Sequence, residues 1–273
     1  MIVDTHVHLF AEASDARFPI HANAPYAAAV PALPRQVLSF MDQAGIAGAV
    51  LVHPETYQDD HRWLLHTLAI DPKRFRGVCH LFPDRAETPE KIAELARFPG
   101  MAGMRLHAYC PERLPSFEPK SLTRFWTLAR DNGLFLQLHL EPRYAPVFTP
   151  LLQRFPEVVV LIDHCGRPFQ GTLEEFQEIR GWARFPQVHM KLSLLPFRNQ
   201  YPHRDIGPVV QDLATQFGIK RILYGGGYPC ASPQEWTAHV ERFLDLLGRL
   251  GPEEKSLILG DNAARILKWD LTG

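Results

Sequence analysis

Ile2-Val3-Asp4-Thr5-His6-Val7-His8 opens the chain as an apolar strand that ends in two histidines. Side chains two apart on a strand point to the same face. At the carboxyl end of a parallel barrel that face is open, and the His6/His8 pair can grip one metal ion or one substrate carbonyl. Seven further strand-like runs follow, at residues 47–53, 75–81, 103–108, 134–140, 158–164, 188–193 and 221–226. Between them lie segments of 3.6-residue periodicity: Arg35–Ala44, Arg62–Ile70, Lys91–Ala96, Leu122–Asn132, Leu173–Arg180 and Val209–Phe217. Ser232-Pro233 has the chemistry of a helix start and leads into Gln234–Leu247. Pro252–Leu257 and Asn262–Trp269 read as two closing helices. Alternating βα units imply a parallel sheet. Eight of them without a linker favour a closed (β/α)8 barrel, one domain over residues 1–273, rather than an open doubly wound sheet.

Bulk composition narrows the partners. Hydrophobic residues make up 46% and charged residues 22%, ordinary for a globular chain with a sizeable core. The net charge of −1 leaves no basic field for nucleic acid or an anionic membrane. A small-molecule partner fits better, and a homo-oligomer stays open. Four separated cysteines with no C-x-x-C pair suit reduced thiols. Without an obvious leader or long apolar run, the expected location is cytoplasmic. Neither G-x-G-x-x-G after the first strand nor G-x-x-x-x-G-K-[ST] is present. The Ala- and Pro-rich stretch Glu12–Pro34 lacks periodicity and reads as a long loop over the barrel mouth.

Potentially catalytic side chains collect at the strand ends: His6 and His8, His53 with Glu55, His107 and Tyr109, His139 and Glu141, His164, then Lys191 and Ser193. In a parallel barrel these ends meet at one face, where the active sites of this architecture lie. One histidine alone is more often structural, and His61, His66, His80, His189 and His203 are read that way. The joint pattern of His6, His8, His139 and His164 is read as functional.

The chain resembles the amidohydrolase-related family, the lactonase and decarboxylase branch of the amidohydrolase superfamily. The resemblance rests on Asp4-Thr5-His6-Val7-His8-Leu9-Phe10, on Ala49-Val50-Leu51-Val52-His53-Pro54-Glu55-Thr56-Tyr57, on Leu138-His139, on Ile162-Asp163-His164-Cys165-Gly166-Arg167-Pro168 and on Gly260-Asp261-Asn262-Ala263-Ala264-Arg265. It implies a distorted TIM barrel, metal binding by His6, His8 and His139, and a catalytic or substrate-polarising role for His164. The loop around Arg17-Phe18-Pro19 and Pro25-Tyr26 is similar to lactonase members, some of which work without metal. At the eighth strand the family pattern is roughly G-S-D-W-P, whereas this chain reads Gly225-Gly226-Gly227-Tyr228-Pro229. Gly227 stands where the resemblance places the catalytic aspartate, which removes a metal ligand and a general base at once. Three neutral imidazoles can still hold one zinc-like divalent ion at partial occupancy, and metal-free operation is the other course.

The expected function is therefore hydrolysis of a small carboxylated or sugar lactone. The candidate substrate-binding set is His53, Arg105, His107, Arg143 and Tyr228, with Arg167 a further partner for a carboxylate. Glu55, Glu141, Tyr228 and Cys230 are candidate substitutes for the lost base. The alternatives are a non-oxidative decarboxylase and a binding barrel whose chemistry is lost.

Overall fold

The computed structural model describes residues 1–28, 30–109, 117–195, 203–226 and 232–271. Eight parallel strands lie in sequence order around a barrel: β1 (Ile2–Val7), β2 (Ile46–Val52), β3 (Phe75–His80), β4 (Met101–Ala108), β5 (Phe135–Leu140), β6 (Val160–Ile162), β7 (Val188–Leu192) and β8 (Ile222–Tyr224). The helices outside them are α1 (Pro34–Ala44), α2 (Arg62–Ile70), α3 (Thr88–Leu95), α4 (Pro119–Asp131), α5 (Ala145–Arg154), α6 (Leu173–Gly181), α7 (Gly207–Phe217), α8 (Pro233–Leu247), α9 (Pro252–Ser256) and α10 (Asn262–Ile266). This is the closed (β/α)8 barrel that the alternating pattern predicts, and the TIM barrel that the family resemblance implies.

Two local departures have plain causes. Helix α5 carries Pro146 near its start and Pro150 inside, so its sequence reads as broken. Its buried Phe148, Leu151 and Leu152 supply the packing that holds it together. Strand β6 stops at Ile162, and His164 sits beyond it in a short turn rather than on the strand.

The barrel interior is built in layers by period-2 alternation along each strand. Val3, Val50, Val78, Phe135, Leu161 and Leu223 form an apolar floor, closed from below by Ala263 and Trp269. A Cβ on Gly103 would lie 2.5 Å from the Phe135 ring, so glycine is needed there for the phenyl group to fit. One layer up, Arg105 of β4, Gln137 of β5, Asp163 just past β6 and Lys191 of β7 form a buried polar layer. One step further, histidines begin.

The seam between β1 and β8 is closed by side chains. Thr5 Oγ1 donates to Tyr224 O (2.6 Å), and Asp4 accepts Gly226 N (2.9 Å) and Trp236 Nε1 (2.8 Å). The motif ending in Arg265 also proves structural. Asn262 Nδ2 donates to the carbonyls of Ile219 and Ile222, and Arg265 to that of Lys220, fastening the end of the chain under β8.

Candidate functional site

The carboxyl ends of the strands carry a nearly continuous arc of imidazoles, all buried except the half-buried His8. Ring centroids lie 4.9 Å apart for His6 and His8, 4.5 Å for His6 and His164, 4.9 Å for His164 and His139, and 5.0 Å for His139 and His107. The arc continues through His80, 4.4 Å from His107, while His53 and His61 pair at 4.5 Å. His61 and His80, read from sequence as structural, therefore share the rim with the candidate residues. The available signal was His80 at the end of β3; His61 lies just before α2, where no strand register could place it.

At the centre, His6 Nδ1 is 3.0 Å from Lys191 Nζ and 3.5 Å from Asp163 Oδ1. Its Nε2 is 3.1 Å from His8 Nε2, and His8 Nδ1 lies 2.7 Å from Val52 O. Asp163 accepts from Arg105 Nε (2.9 Å) and Gln137 Nε2 (2.9 Å), and it pairs with Lys191 at 3.0 Å. The candidate substrate residue Arg105 is thus bound to Asp163 inside the barrel. His164 hangs from Ser193: its backbone N–H donates to Ser193 Oγ at 3.2 Å, and its Nδ1 is 2.8 Å from the same oxygen.

The turn that presents His164 is strained. His164, Cys165, Gly166 and Arg167 all have positive φ, from 52° to 69°. A left-handed non-glycine residue costs on the order of 1 kcal/mol. Such a run persists only because its surroundings hold it, here Ser193 on one side and Ile179 against Gly166 on the other.

The remaining candidates lie around the rim. His139 presents Nε2 to the Arg167 guanidinium and stacks on Tyr109 at 4.0 Å. His107 Nδ1 is 3.2 Å from Glu55 Oε1, and Tyr109 donates to the other oxygen of Glu55 at 2.6 Å. His53 Nε2 donates to Gln58 O at 3.0 Å. Arg143 is half exposed and paired with Glu141. Gly227, Tyr228 and Cys230 lie outside the described residues. The loop after β1 is pinned across this end of the barrel: His21 N donates to Thr56 O, Thr56 Oγ1 to Tyr26 O, and Phe18 packs on Trp63.

Burial sets the charge states. It lowers His8 to about 3 and His61 and His107 to about 4, and takes His6, His53, His80, His139 and His164 well below the ordinary value. The arc is neutral at pH 7. Burial alone would raise Asp163, but Lys191 and Arg105 outweigh it and keep the carboxylate ionised.

His6, Asp163 and His164 bring ligand atoms within 4.8 Å of one another, a composition that can hold a metal. Their hydrogen bonds fit an ion poorly. Asp163 already faces two cations, the Nε2 of His139 is taken by Arg167, and an ammonium occupies the His6 nitrogen that must carry a proton if Nε2 is to ligate. What the arrangement offers readily is a set of neutral donors and acceptors beside a buried ion cluster. Such a set can polarise a carbonyl and stabilise an oxyanion.

The chain is similar to known proteins over most of its length. An L-fucono-1,5-lactonase from Burkholderia ambifaria is 26% identical over 255 residues, covering 87% of this chain and 85% of the relative. A 4-sulfomuconolactone hydrolase from Rhizobium radiobacter is 25% identical, covering 96% of this chain and 88% of the relative. Among solved structures, a zinc-bound amidohydrolase from Burkholderia multivorans superposes with a TM-score of 0.78 at 20% identity, covering 99% of this chain and 100% of that one. The sequence pattern of the amidohydrolase family matches residues 3–269, and the chain belongs to that family.

Proposed function

We propose that this chain, built as one domain over residues 1–273, hydrolyses a small carboxylated or sugar lactone without requiring a metal. The observation that carries the reading is the neutral cluster of His6, His8 and His164 at the barrel mouth, held from below by Asp163 and Lys191. Two relatives named for lactone hydrolysis support the reaction class.

The lactone carbonyl oxygen accepts a hydrogen bond from the His6 Nε2–H, which in the free protein faces His8 Nε2. Water attacks the carbonyl carbon, and the oxyanion is stabilised in place. With its Nδ1 held by Ser193, His164 has Nε2 left to handle the water proton. Collapse breaks the ring C–O bond, the ring oxygen takes up a proton, and a hydroxy acid leaves. Such donors contribute about 10²–10³-fold each when well placed. Depressed imidazole basicity makes proton removal the weaker part of the catalysis.

The test is a panel of sugar lactones and lactones from aromatic breakdown, followed by acid release at constant pH in chelator-treated protein. Turnover that survives the chelator supports the reading. Turnover that appears only with added zinc overturns its metal-free part. Release of CO₂ from an aromatic or unsaturated acid, with every lactone inert, transfers the chain to decarboxylation, and inertness in both assays favours a binding barrel.

A further inference from the structure

The hydrogen-bond directions around His6 define what the histidine pair can do. Lys191 is fully buried, with Nζ 3.0 Å from His6 Nδ1 and 3.0 Å from Asp163 Oδ1. An ammonium group has three donors and no acceptor, so the ring nitrogen it meets must offer a lone pair. The proton of neutral His6 then sits on Nε2. On the other ring, His8 Nδ1 meets the carbonyl oxygen of Val52, which only accepts, so His8 carries its proton on Nδ1 and leaves Nε2 bare. The two Nε2 atoms are 3.1 Å apart, and this assignment places one proton in every contact. The order is Lys191 to His6, His6 to His8, His8 to Val52.

We infer that Lys191 is a positioning residue that locks His6 in its Nε2–H tautomer and so decides whether the pair serves as a hydrogen-bond donor or as a metal site. A metal held by both histidines needs two bare Nε2 atoms. His6 can supply one only by moving its proton to Nδ1, directly against the ammonium. With Lys191 replaced by an apolar side chain, Nδ1–H can turn to Asp163 Oδ1, already 3.5 Å away, and both Nε2 lone pairs become available. Arg105 still balances Asp163 in that variant, so no carboxylate is left unpaired. The inference concerns the pair itself and stands whichever lactone is the substrate.

The experiment combines a spectroscopic and a binding readout, neither of which uses turnover. Long-range ¹H–¹⁵N spectra of the protein labelled at histidine nitrogens identify each tautomer, with His6 assigned by comparison with His6→Gln. The expected result is Nε2–H for His6 in the parent and Nδ1–H in Lys191→Met. Calorimetric titration with zinc should show Lys191→Met binding at least about tenfold more tightly than the parent, the scale on which groups around a metal ligand act. An Nδ1–H tautomer for His6 in the parent overturns the inference, whether or not the variant folds. So does equal zinc affinity in the parent and a folded Lys191→Met.

Discussion

The carboxylate of Asp4 accepts the indole N–H of Trp236 at 2.8 Å across 232 residues of chain, and it joins the first strand to the longest helix. The same carboxylate accepts the backbone N–H groups of His6 and Gly226, each at 2.9 Å. The first residue of the D-x-H-x-H motif is therefore the clasp that sets where the two histidines begin.

Asp4→Ala should release that clasp. Three buried N–H groups lose their acceptor, and each unsatisfied donor costs about 1–3 kcal/mol. The expected destabilisation is about 3–5 kcal/mol after partial relaxation. Urea denaturation measures it, and an unchanged midpoint would show that the seam is held by something else.

Gly225→Ala should damage activity more than stability. A Cβ there lies 3.0 Å from the Ser193 Cβ and 3.1 Å from the His6 Cβ, so the added methyl presses on both supports of the cluster. Overpacking of this kind costs about 1–3 kcal/mol. Displacing a catalytic group by a fraction of an ångström is expected to lower kcat/KM by about tenfold or more. Lactone kinetics beside a melting curve separate the two effects, and full activity would show that His6 does not need its present position.

Arg167 should distinguish a carboxylated substrate from an uncharged one. Among the described residues its guanidinium meets His139, Gln170 and the Tyr109 ring, 4.6 Å away, with no carboxylate in direct contact. A hydrogen bond to a charged group contributes about 1.5–3 kcal/mol, so Arg167→Met should raise KM for a carboxylated lactone by about tenfold or more. A neutral sugar lactone should respond much less. Equal effects on both substrates would mean that Arg167 acts by orienting His139.

Acid should unfold the protein early. His8, at about 3, and His61 and His107, at about 4, lie below their ordinary 6.5 because burial disfavours the charged ring. Between those values the unfolded chain binds protons that the native protein does not. Stability is therefore full above pH 6.5 and is lost as pH falls toward 4, by about 1.4 kcal/mol per pH unit for each such histidine. Urea midpoints at pH 7, 6 and 5 should record uptake of several protons on unfolding. Uptake of fewer than one would contradict a neutral arc.

The fold was legible because the apolar runs and their glycine and proline punctuation coincide with real elements: every strand read from the sequence exists, within a few residues. Helix α5 was hidden by Pro146 and Pro150, whose local effect is outweighed by packing that only the folded barrel provides. The histidines of β1, β4 and β5 and His164 could be named because strand ends converge in this architecture. The layer beneath them was harder to see. Arg105 on β4 reads as a substrate ligand until Asp163, 58 residues later, is found against it. The Lys191 contact with His6 spans 185 residues and depends on side-chain reach, which periodicity does not encode.

Trp269, finally, has a bearing on how this barrel is made. Its indole lies under the apolar floor begun by Val3, occupies the space left by Gly48, and donates to Lys73 O at 2.7 Å. During synthesis all eight strands leave the ribosome before this stopper does. A nascent chain halted short of residue 269 would present an open greasy underside, the kind of surface that chaperones hold until the final segment arrives.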